Sequence, residues 1–309
     1  MSELHVPVLV DEVRALLQPE RGGVFVDCTV GLGGHARMLL EHGASRLIGI
    51  DRDTDALALA RDTLAPFGDR VALVHADYRE IAAVLAAQGV GEVAGLLADL
   101  GVSSLQLDAE GRGFSFRRDE PLDMRMDRSR GETAAEWIGR VDERELADVI
   151  YRFGEERRSR QVARAIVAAR QHGRIETTGR LGEIVRRAVA ARTRQRIDPA
   201  TRTFQALRIW VNRELDGLDS FIGSAVASLQ GEGPAARTVR KGVEGRGRIA
   251  VIAFHSLEDR VVKHTFRALS KGDDAQLTVL TKHPVIASDA EAAANPRARS
   301  AKLRAAVRV

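Results

Sequence analysis

The chain has little of what secreted and membrane proteins need. A single cysteine, Cys28, among 309 residues excludes an internal disulfide and a cluster of thiolate metal ligands. No apolar run approaches the roughly 18 residues of an ordinary membrane span, and residues 1–7 lack the basic stretch and apolar core of a secretory signal. We therefore expect a cytoplasmic protein with no membrane partner, in which Cys28 is a small core residue. The sequence shows no cluster of metal ligands and leaves the oligomeric state open.

Lysine is absent from the middle third of the chain, although that third is the most basic. Residues 112–213 hold 24 Arg and 15 Asp or Glu, a net charge of +9, and the remainder carries −5. Such an asymmetry favours a polyanionic partner, because phosphate neutralisation dominates nucleic-acid affinity. Solvated helix faces and an arginine-rich genome produce the same composition, so both interpretations remain open.

Glycines and an acidic residue follow the first two predicted strands. The run 24–28 leads into a turn with Gly31 and Gly33, and the run 47–50 stops at Asp51. Glycine allows a sharp turn at positive φ with bare amides facing a ligand, and a carboxylate after the second strand accepts both hydroxyls of a ribose. The pattern predicts an adenosine-type cofactor.

Two further predicted strands also end in acidic or glycine-rich loops. Strand 71–75 precedes Asp77 and Tyr78, and strand 95–98 precedes Asp99. The carboxyl ends of parallel strands share one edge, so these loops should form one site. There Asp77 and Tyr78 would face an adenine, and Asp99 would lie near the reactive end of the cofactor. This arrangement favours S-adenosylmethionine over NAD, since no pyrophosphate-binding partner is evident.

Each of these residues has a simpler interpretation. Asp51 and Asp77 are also good helix caps, and the sequence around Asp53 is itself an N-terminal helix signal. His35 lies at the start of a predicted helix, where its ring can bind local backbone groups. The glycine spacing also fits a nicotinamide oxidoreductase, and the basic stretch fits a non-catalytic RNA-binding assembly factor.

Helical periodicity fills the basic stretch and interrupts the alternation of strands and helices. Amphipathic patterns predict helices at 143–151, 155–171 and 178–190, and a long helix from about 204 to 229. A fifth strand follows at 247–254, a loop is predicted at 287–298, and a closing strand lies near 302–309. We predict an α/β, Rossmann-like sheet domain, residues 1–109 and 211–309, with an inserted all-helical domain, residues 110–210.

Nine short strings point to one family. They are HVPVL at 5–9, DCTVGLGGH at 27–35, DLGVSSLQLD at 99–108, RGFSF at 112–116, PLDMRMD at 121–127, YRFGEE at 151–156, ATRTFQALR at 200–208, FHSLEDR at 254–260 and NPRARS at 295–300. In this order the chain closely resembles the bacterial 16S ribosomal RNA cytosine-N4 methyltransferases of the RsmH, or MraW, family. The resemblance implies a class I methyltransferase domain with a helical insertion, S-adenosylmethionine as methyl donor, and a cytidine in the decoding region (P site) of the small ribosomal subunit as acceptor.

The resemblance also assigns residues by position. The family's cofactor contacts fall on Gly33, Gly34, His35, Asp51, Tyr78, Asp99 and Gln106. Tyr78 stands where relatives often have Phe, and an aromatic face serves either way. The stretch between 280 and 295 is shorter than in some relatives, which affects the shape of that loop rather than the chemistry.

The reaction requires groups that activate a weakly nucleophilic amine. The loop at Asp99 lacks the proline and aromatic residue that many amino-methyltransferases carry there, so stacking and acceptor groups must come from elsewhere. Candidates are Ser103 and Ser104, the pair Phe114 and Phe116, and the segment 254–256. We hypothesise that Asp99 and His255 lie nearest the amine, with Ser103 as a further candidate; His255 could equally hold the strand end or contact RNA.

Arginines of the insertion are the predicted phosphate contacts. These candidates are Arg157, Arg158, Arg160, Arg164, Arg194, Arg196, Arg202 and Arg208. Some must instead pair with neighbouring carboxylates such as Glu155 and Glu156. The sequence does not show which arginines pair and which bind phosphate.

Overall fold

A computed structural model describes residues 7–103, 106–107, 109–189, 198–231 and 246–309. The chain forms two compact units, one of Met1–Gly101 with Gly217–Val309 and one of Val102–Asp216, whose bounds enclose the predicted insertion. The strands are β1 Val24–Asp27, β2 Arg46–Asp51, β3 Val71–His75, β4 Gly95–Asp99, β5 Arg248–Ala253, β6 Leu277–Val279 and β7 Lys302–Arg308. The helices in the described ranges are α1 Val10–Leu17, α2 Gly34–Glu41, α3 Thr54–Leu64, α4 Ile81–Ala87, α5 Ala134–Arg140, α6 Glu143–Gly154, α7 Ser159–Arg170, α8 Thr178–Ala188, α9 Ala200–Asn212, α10 Leu218–Ala227, α11 Ser256–Leu269 and α12 Asp289–Ala294.

The seven strands of the described ranges form one mixed sheet in the first unit. Its order is β3-β2-β1-β4-β5-β7-β6, with β1 to β5 parallel and β7 antiparallel to both of its neighbours. The order reverses between β1 and β4, so a crevice is expected at the carboxyl ends of the strands near this point. This topology confirms the predicted Rossmann-like class I methyltransferase fold.

Continuous apolar runs explain why the central strands form. All residues of β5 are buried, as are the first four of β4, which is typical of parallel strands covered on both faces. Leu17 of α1 and Leu39 of α2 pack in one core with Leu47 and Ile252 of the strands. Cys28 is buried as predicted.

The second unit has only helices among its described elements and a core of its own. Trp137 of α5 and Trp210 of α9 lie with ring centroids 5.2 Å apart, within a cluster of buried apolar side chains from all five helices. At Gly154, at the end of α6, a Cβ would collide with the carbonyl oxygen of Arg202. A glycine there therefore lets α6 and α9 pack closely.

Several predictions about elements need correction. The prediction of one long helix over 204–229 is wrong, because a turn separates α9 from α10. In this turn Arg213 has a φ of 48° and Gly217 one of 68°. The predicted loop 287–298 contains α12, capped by Ser288, and a 3₁₀ turn at Pro296–Ser300. The short edge strand β6 was not predicted.

Two further predicted segments are only partly described by the structure. The end of the predicted helix 178–190 and most of the predicted loops before β5 lie outside the described residues. Among the described residues, no helix is both long enough and apolar enough to cross a bilayer.

Candidate functional site

Hydrogen bonds join the carboxyl ends of β1 to β4. The Val30 N–H donates to Ile50 O (2.9 Å), Cys28 N–H to Leu97 O (2.8 Å) and Ala76 N–H to Asp51 O (3.1 Å). The Asp99 N–H donates to the Thr29 hydroxyl at 2.6 Å. The four loops predicted from the sequence thus lie at one edge of the sheet.

The glycine-rich turn after β1 leaves one face of its backbone open. Gly31 has a φ of 51°, and a Cβ placed there would meet only the Thr29 carbonyl oxygen, at 3.8 Å. A Cβ at Gly33 would lie 3.2 Å from the Leu64 side chain, and one at Gly34 would lie 2.9 Å from the Pro7 ring. Packing therefore accounts for Gly33 and Gly34, whereas Gly31 borders open space.

Asp51 at the end of β2 is held by backbone donors. Its Oδ2 accepts from the Gly31 N–H and its Oδ1 from the Asp53 N–H, both at 2.9 Å. Burial raises the pKa of Asp51 despite these hydrogen bonds, which act to lower it. The cap of α3 is Asp53, which accepts from Asp55 N–H and Ala56 N–H. Asp51 therefore connects the first two loops instead of capping α3.

His35, at the start of α2, faces Asp99. Its Nε2 lies 2.8 Å from the Val8 carbonyl oxygen, which can only accept, so Nε2 carries a hydrogen. Its Nδ1 lies 3.7 Å from Asp99 Oδ2. The backbone contact predicted for His35 is present, and the ring is also fixed beside a candidate catalytic carboxylate.

Asp99 ends β4 with an acceptor atom that the protein leaves unused. Its Oδ1 is buried and has no hydrogen-bond partner among the described residues. Low solvent access raises the pKa of Asp99 well above its ordinary 3.8, and the charges of Asp27 and Glu258 raise it further. A buried carboxylate oxygen without a donor is costly, so the site is suited to a ligand that supplies one.

Asp27 belongs to this site but was not among the predicted residues. It ends β1, is 1% exposed, and accepts from the Thr29 N–H at 3.2 Å. Burial raises its pKa to about 7, and the neighbouring charge of Asp51 contributes. The sequence feature from which Asp27 could have been predicted is its position directly before the glycine-rich turn.

Asp77 and Tyr78, which were predicted to face an adenine, make contacts within the protein. Asp77 forms a capping box with Glu80 around the turn Tyr78–Glu80, and Arg79 donates to both of its carboxylate oxygens, at 2.8 and 2.6 Å. Tyr78 is buried, with its ring centroid 4.6 Å from that of Phe221. The capping interpretation is therefore confirmed for Asp77.

His255 caps α11, which begins just after β5. Its Nδ1 accepts from the Glu258 N–H at 3.3 Å, and its Nε2 lies 3.2 Å from Glu258 Oε1. Glu258 is 1% exposed, and its Oε2 accepts from the Phe254 N–H at 2.9 Å. The ring thus holds the strand end, which is one of the proposed interpretations, and its roles in catalysis and RNA contact stay predictions. Glu258 was missed, although its spacing from a capping residue is that of a capping box.

The remaining predicted site residues lie in the second unit. The Ser103 N–H donates to Gln106 Oε1 at 3.1 Å, and the Gln106 N–H donates to Ser103 Oγ at 3.3 Å. Phe114 is a core residue of that unit, and Phe116 packs edge-on against Phe204, with ring centroids 4.8 Å apart. Ser104 lies outside the described residues.

The predicted phosphate-binding arginines differ in their surroundings. Arg208 forms a bidentate, largely buried ion pair with Glu214, at 2.9 and 2.8 Å. Arg202 and Arg164 lie 3.6 Å from the carboxylates of Glu156 and Glu143.

The guanidinium groups of three more candidates have no carboxylate partner among the described residues. Arg158 donates to the Val189 carbonyl oxygen at 3.2 Å. Arg157 and Arg160 are exposed, and no described residue binds their guanidinium groups. Arg194 and Arg196 lie outside the described residues. Arg157 and Arg160 therefore remain the candidates best placed to bind a ligand.

A model of the MraW methylase family matches residues 2–309. A protein of Sorangium cellulosum named ribosomal RNA small subunit methyltransferase H is 54% identical over 308 residues, covering 100% of this chain and 92% of the relative. A protein of the same name from Nitrobacter winogradskyi is 50% identical, covering 98% and 90%. Among solved structures, an rRNA methylase from Streptococcus thermophilus aligns over 99% of both chains with a TM-score of 0.42 and 8% identity.

Proposed function

Since the chain belongs to the MraW methylase family, we propose that it transfers a methyl group from S-adenosylmethionine to the N4 amine of a cytidine of 16S rRNA. The acceptor lies in the decoding region, at the P site, of the small ribosomal subunit. The relatives' name, ribosomal RNA small subunit methyltransferase H, supports the substrate, and the motifs at 27–35 and 99–108 support the reaction. We place the reaction in the cytoplasm, where ribosomal subunits are assembled.

The observation that carries the proposal is the cluster of carboxylates at one sheet edge. Asp27, Asp51 and Asp99 end three adjacent strands, and burial raises the pKa values of all three, with further contributions from neighbouring carboxylates. S-adenosylmethionine brings a sulfonium and an ammonium cation, which such a site stabilises. The two negative charges of a dinucleotide pyrophosphate would be repelled there, so the nicotinamide alternative is disfavoured.

The described residues fit this cofactor. The open backbone at Gly31 offers room beside the turn that leads to Gly33, Gly34 and His35, and the unused Oδ1 of Asp99 offers an acceptor. Asp51 would take the ribose hydroxyls and Tyr78 would border the adenine, whereas Gln106 is carried over from the family motif. The bound cofactor supplies an electrophilic methyl group.

Asp99 is the candidate for activating the cytosine amine. The nitrogen lone pair is delocalised into the ring, so the amine reacts well only when an acceptor binds its hydrogens. A carboxylate oxygen without a protein donor suits this role, and orientation of the amine contributes most of the rest. His255 and Ser103 are secondary candidates, since contacts to Glu258 and Gln106 already occupy their side chains.

The helical unit is proposed to recognise rRNA. Its exposed arginines without a carboxylate partner, Arg157 and Arg160 foremost, would neutralise phosphates. Arg208 is set aside, because its ion pair with Glu214 is largely buried.

The test is methyl transfer from labelled S-adenosylmethionine to small ribosomal subunits that lack the modification. We expect N4-methylcytidine, identified by mass spectrometry of the nucleosides, and its loss in Asp99→Asn. His255→Asn keeps a capping oxygen and separates capping from catalysis. Undiminished turnover in that variant would remove His255 from the chemistry. Labelling of a different nucleoside would contradict the proposed specificity.

A further inference from the structure

The Thr29 hydroxyl lies between the ends of β1 and β4. Its oxygen accepts a hydrogen bond from the Asp99 N–H at 2.6 Å. Its own hydrogen is donated to the Asp27 carboxylate, and this bond acts to lower the pKa of Asp27. A threonine hydroxyl has one hydrogen to donate and can also accept, so one side chain makes both bonds. Thr29 therefore connects two of the carboxylates proposed for the cofactor site.

The bond from the hydroxyl continues the sheet beyond the end of β1. Just past that end, the Cys28 N–H still donates to Leu97 O at 2.8 Å. Two residues further along β4, a regular parallel ladder would join the Asp99 N–H to a carbonyl oxygen of the neighbouring chain, and here the hydroxyl accepts it. On the other side of β4, the Leu100 N–H donates to Ile252 O at 2.9 Å. The backbone around Asp99 is thus held from both sides.

A second threonine of the sheet unit makes the same kind of bond without a carboxylate. Thr281 follows β6, and its hydroxyl accepts from the Ala305 N–H of β7 at 3.0 Å. The same hydroxyl donates to Ala305 O at 3.5 Å, so both of these bonds are to the backbone. Thr29 differs from Thr281 because its hydrogen is donated to a group whose charge can change.

Ionisation of Asp27 strengthens the bond between Thr29 and Asp99. Hydrogen bonds in a chain polarise one another. A charged Asp27 draws the hydroxyl hydrogen towards itself, and the hydroxyl oxygen then becomes a better acceptor for the Asp99 N–H. Burial raises the pKa of Asp27 to about 7, and a cation bound nearby would favour the charged form. A bound sulfonium cofactor would therefore tighten the hold on Asp99.

We propose that Thr29 is a positioning residue, whose hydroxyl fixes Asp99 against the cytosine amine when the cofactor is bound. This inference rests on the proposed function. Thr29 acts through Asp99, because its hydroxyl bonds to the backbone of that residue. A displacement of roughly 1 Å in a reacting group can cost about 100-fold in rate, so loss of the hydroxyl should lower kcat.

The test compares valine variants at the two threonines. Thr29→Val and Thr281→Val each keep the shape of the side chain and remove a hydroxyl that accepts a backbone N–H. Methyl transfer to unmodified small ribosomal subunits is measured at saturating S-adenosylmethionine, as total label incorporated. In Thr29→Val we expect kcat to fall at least about 10-fold while KM for the subunits changes by less than about threefold. Thr281→Val should keep the wild-type kcat, and urea titrations should show similar losses of stability in both variants.

Two further measurements separate positioning from a purely structural role. Thr29→Ser keeps the hydroxyl and should recover most of the wild-type kcat. In Thr29→Val the carboxyl group of Asp27, followed by carbon-13 NMR, should titrate at a higher pH than in the wild type, because a donor to its charged form is lost. Thr281→Val should leave that titration unchanged.

The outcomes distinguish this inference from the proposed function. Equal kcat in Thr29→Val and Thr281→Val would overturn the inference, whichever nucleoside the wild type methylates. A loss in Thr29→Ser as large as that in Thr29→Val would overturn it too, because the hydroxyl would then not be the group that matters. Methylation of a different nucleoside by the wild type would contradict the proposed function, and the variants would still test Thr29. If the valine at position 29 prevents folding, Thr29→Ala and Thr281→Ala give the same comparison.

Discussion

Asp27 in the sheet unit and Asp123 in the helical unit are both buried, with exposures of 1% and 8%, yet their surroundings differ. Among the described residues, no Lys or Arg lies within 4.0 Å of Asp27, and burial raises its pKa to about 7. Burial alone would also raise the pKa of Asp123, but two hydrogen bonds from Arg125, at 2.8 and 2.9 Å, hold it below its ordinary value.

The same contrast separates Asp99 from Asp127. Asp99 keeps an unused oxygen and a raised pKa, whereas hydrogen bonds from Ser129 and Arg130 outweigh burial and lower the pKa of Asp127. A paired carboxylate stabilises its fold, and an unpaired buried one weakens it unless a ligand compensates. Asp123 and Asp127 are therefore structural, and the carboxylates at the sheet edge are the ones that we propose for the cofactor site.

The largest expected effect tests this division through activity. Asp99→Asn should lower kcat/KM by about 100-fold or more, because it replaces one carboxylate oxygen by an NH2 donor and removes the negative charge that draws on the amine hydrogens, while the free energy of unfolding stays the same or rises. Asp123→Asn should lower stability and leave kcat/KM near wild type. Methyl-transfer assays and urea titrations measure both. If Asp99→Asn lost stability but kept its activity, Asp99 would be a structural carboxylate like Asp123, and the proposed difference between the two units would be wrong.

The buried ion pair of the helical unit gives the next effect. Arg208→Gln should lower the free energy of unfolding by about 3 kcal/mol, since it leaves the carboxylate of Glu214 without its guanidinium partner. Arg140→Gln is the control, because the pair of Arg140 with Glu132 is exposed, and it should leave stability unchanged. A similar stability for the two variants would show that Arg208 is not structural.

The pH dependence of stability should differ in sign between the two carboxylates. With a pKa of 3.8 unfolded and about 7 folded, Asp27 keeps its proton in the folded state while the unfolded state loses it. Stability therefore falls as pH rises from about 4 to 7. Asp27→Asn should remove this loss and stabilise the cofactor-free protein by ~1 to 3 kcal/mol at pH 8.

For Asp123 the folded pKa is lowered, so its contribution is present above pH 3.8 and is lost as pH falls through the folded value. Asp123→Asn should therefore lower stability at pH 7, and this loss should shrink as pH falls through the folded pKa of Asp123. Urea titrations at several pH values measure both variants. Destabilisation by Asp27→Asn at pH 8 would contradict the account.

The smallest effect concerns an uncharged residue of the sheet unit. Tyr78→Phe keeps the ring that packs against Phe221 and should change cofactor affinity by less than about threefold. Tyr78→Ala removes that packing and should weaken binding and stability together. Calorimetric titration with S-adenosylmethionine measures the affinity. A large loss in Tyr78→Phe would mean that the hydroxyl, and not only the ring, serves the site.

The sheet edge was largely predictable because its signals are local. Apolar runs interrupted by glycine and aspartate gave the ends of β2, β3 and β4. The influence of Glu258 on Asp99 was not predictable, since it depends on β5 lying beside β4 in the sheet. The break after α9 also escaped prediction, because Arg213 adopts a left-handed conformation that its residue type does not signal.

The sequence also could not predict which charged side chains form ion pairs. The arginine count of 112–213 was evident, but which arginines have carboxylate partners depends on packing. Arg208 and Arg157 are arginines of the same basic stretch. Among the described residues, however, only Arg208 is bound by a carboxylate. The basic composition was therefore a weak guide to the residues that could bind phosphate.

The most direct measurement is the number of protons exchanged when S-adenosylmethionine binds. Calorimetric titration at pH 6.5 in buffers of different ionisation enthalpy gives this number, at a pH where an α-amino group is already protonated. A cation beside Asp27 and Asp99 should lower their pKa values, so we predict a net release of protons that falls in Asp27→Asn and persists in Asp123→Asn. Binding with no proton release in the wild type would contradict the assignment of the sheet-edge carboxylates to the cofactor site.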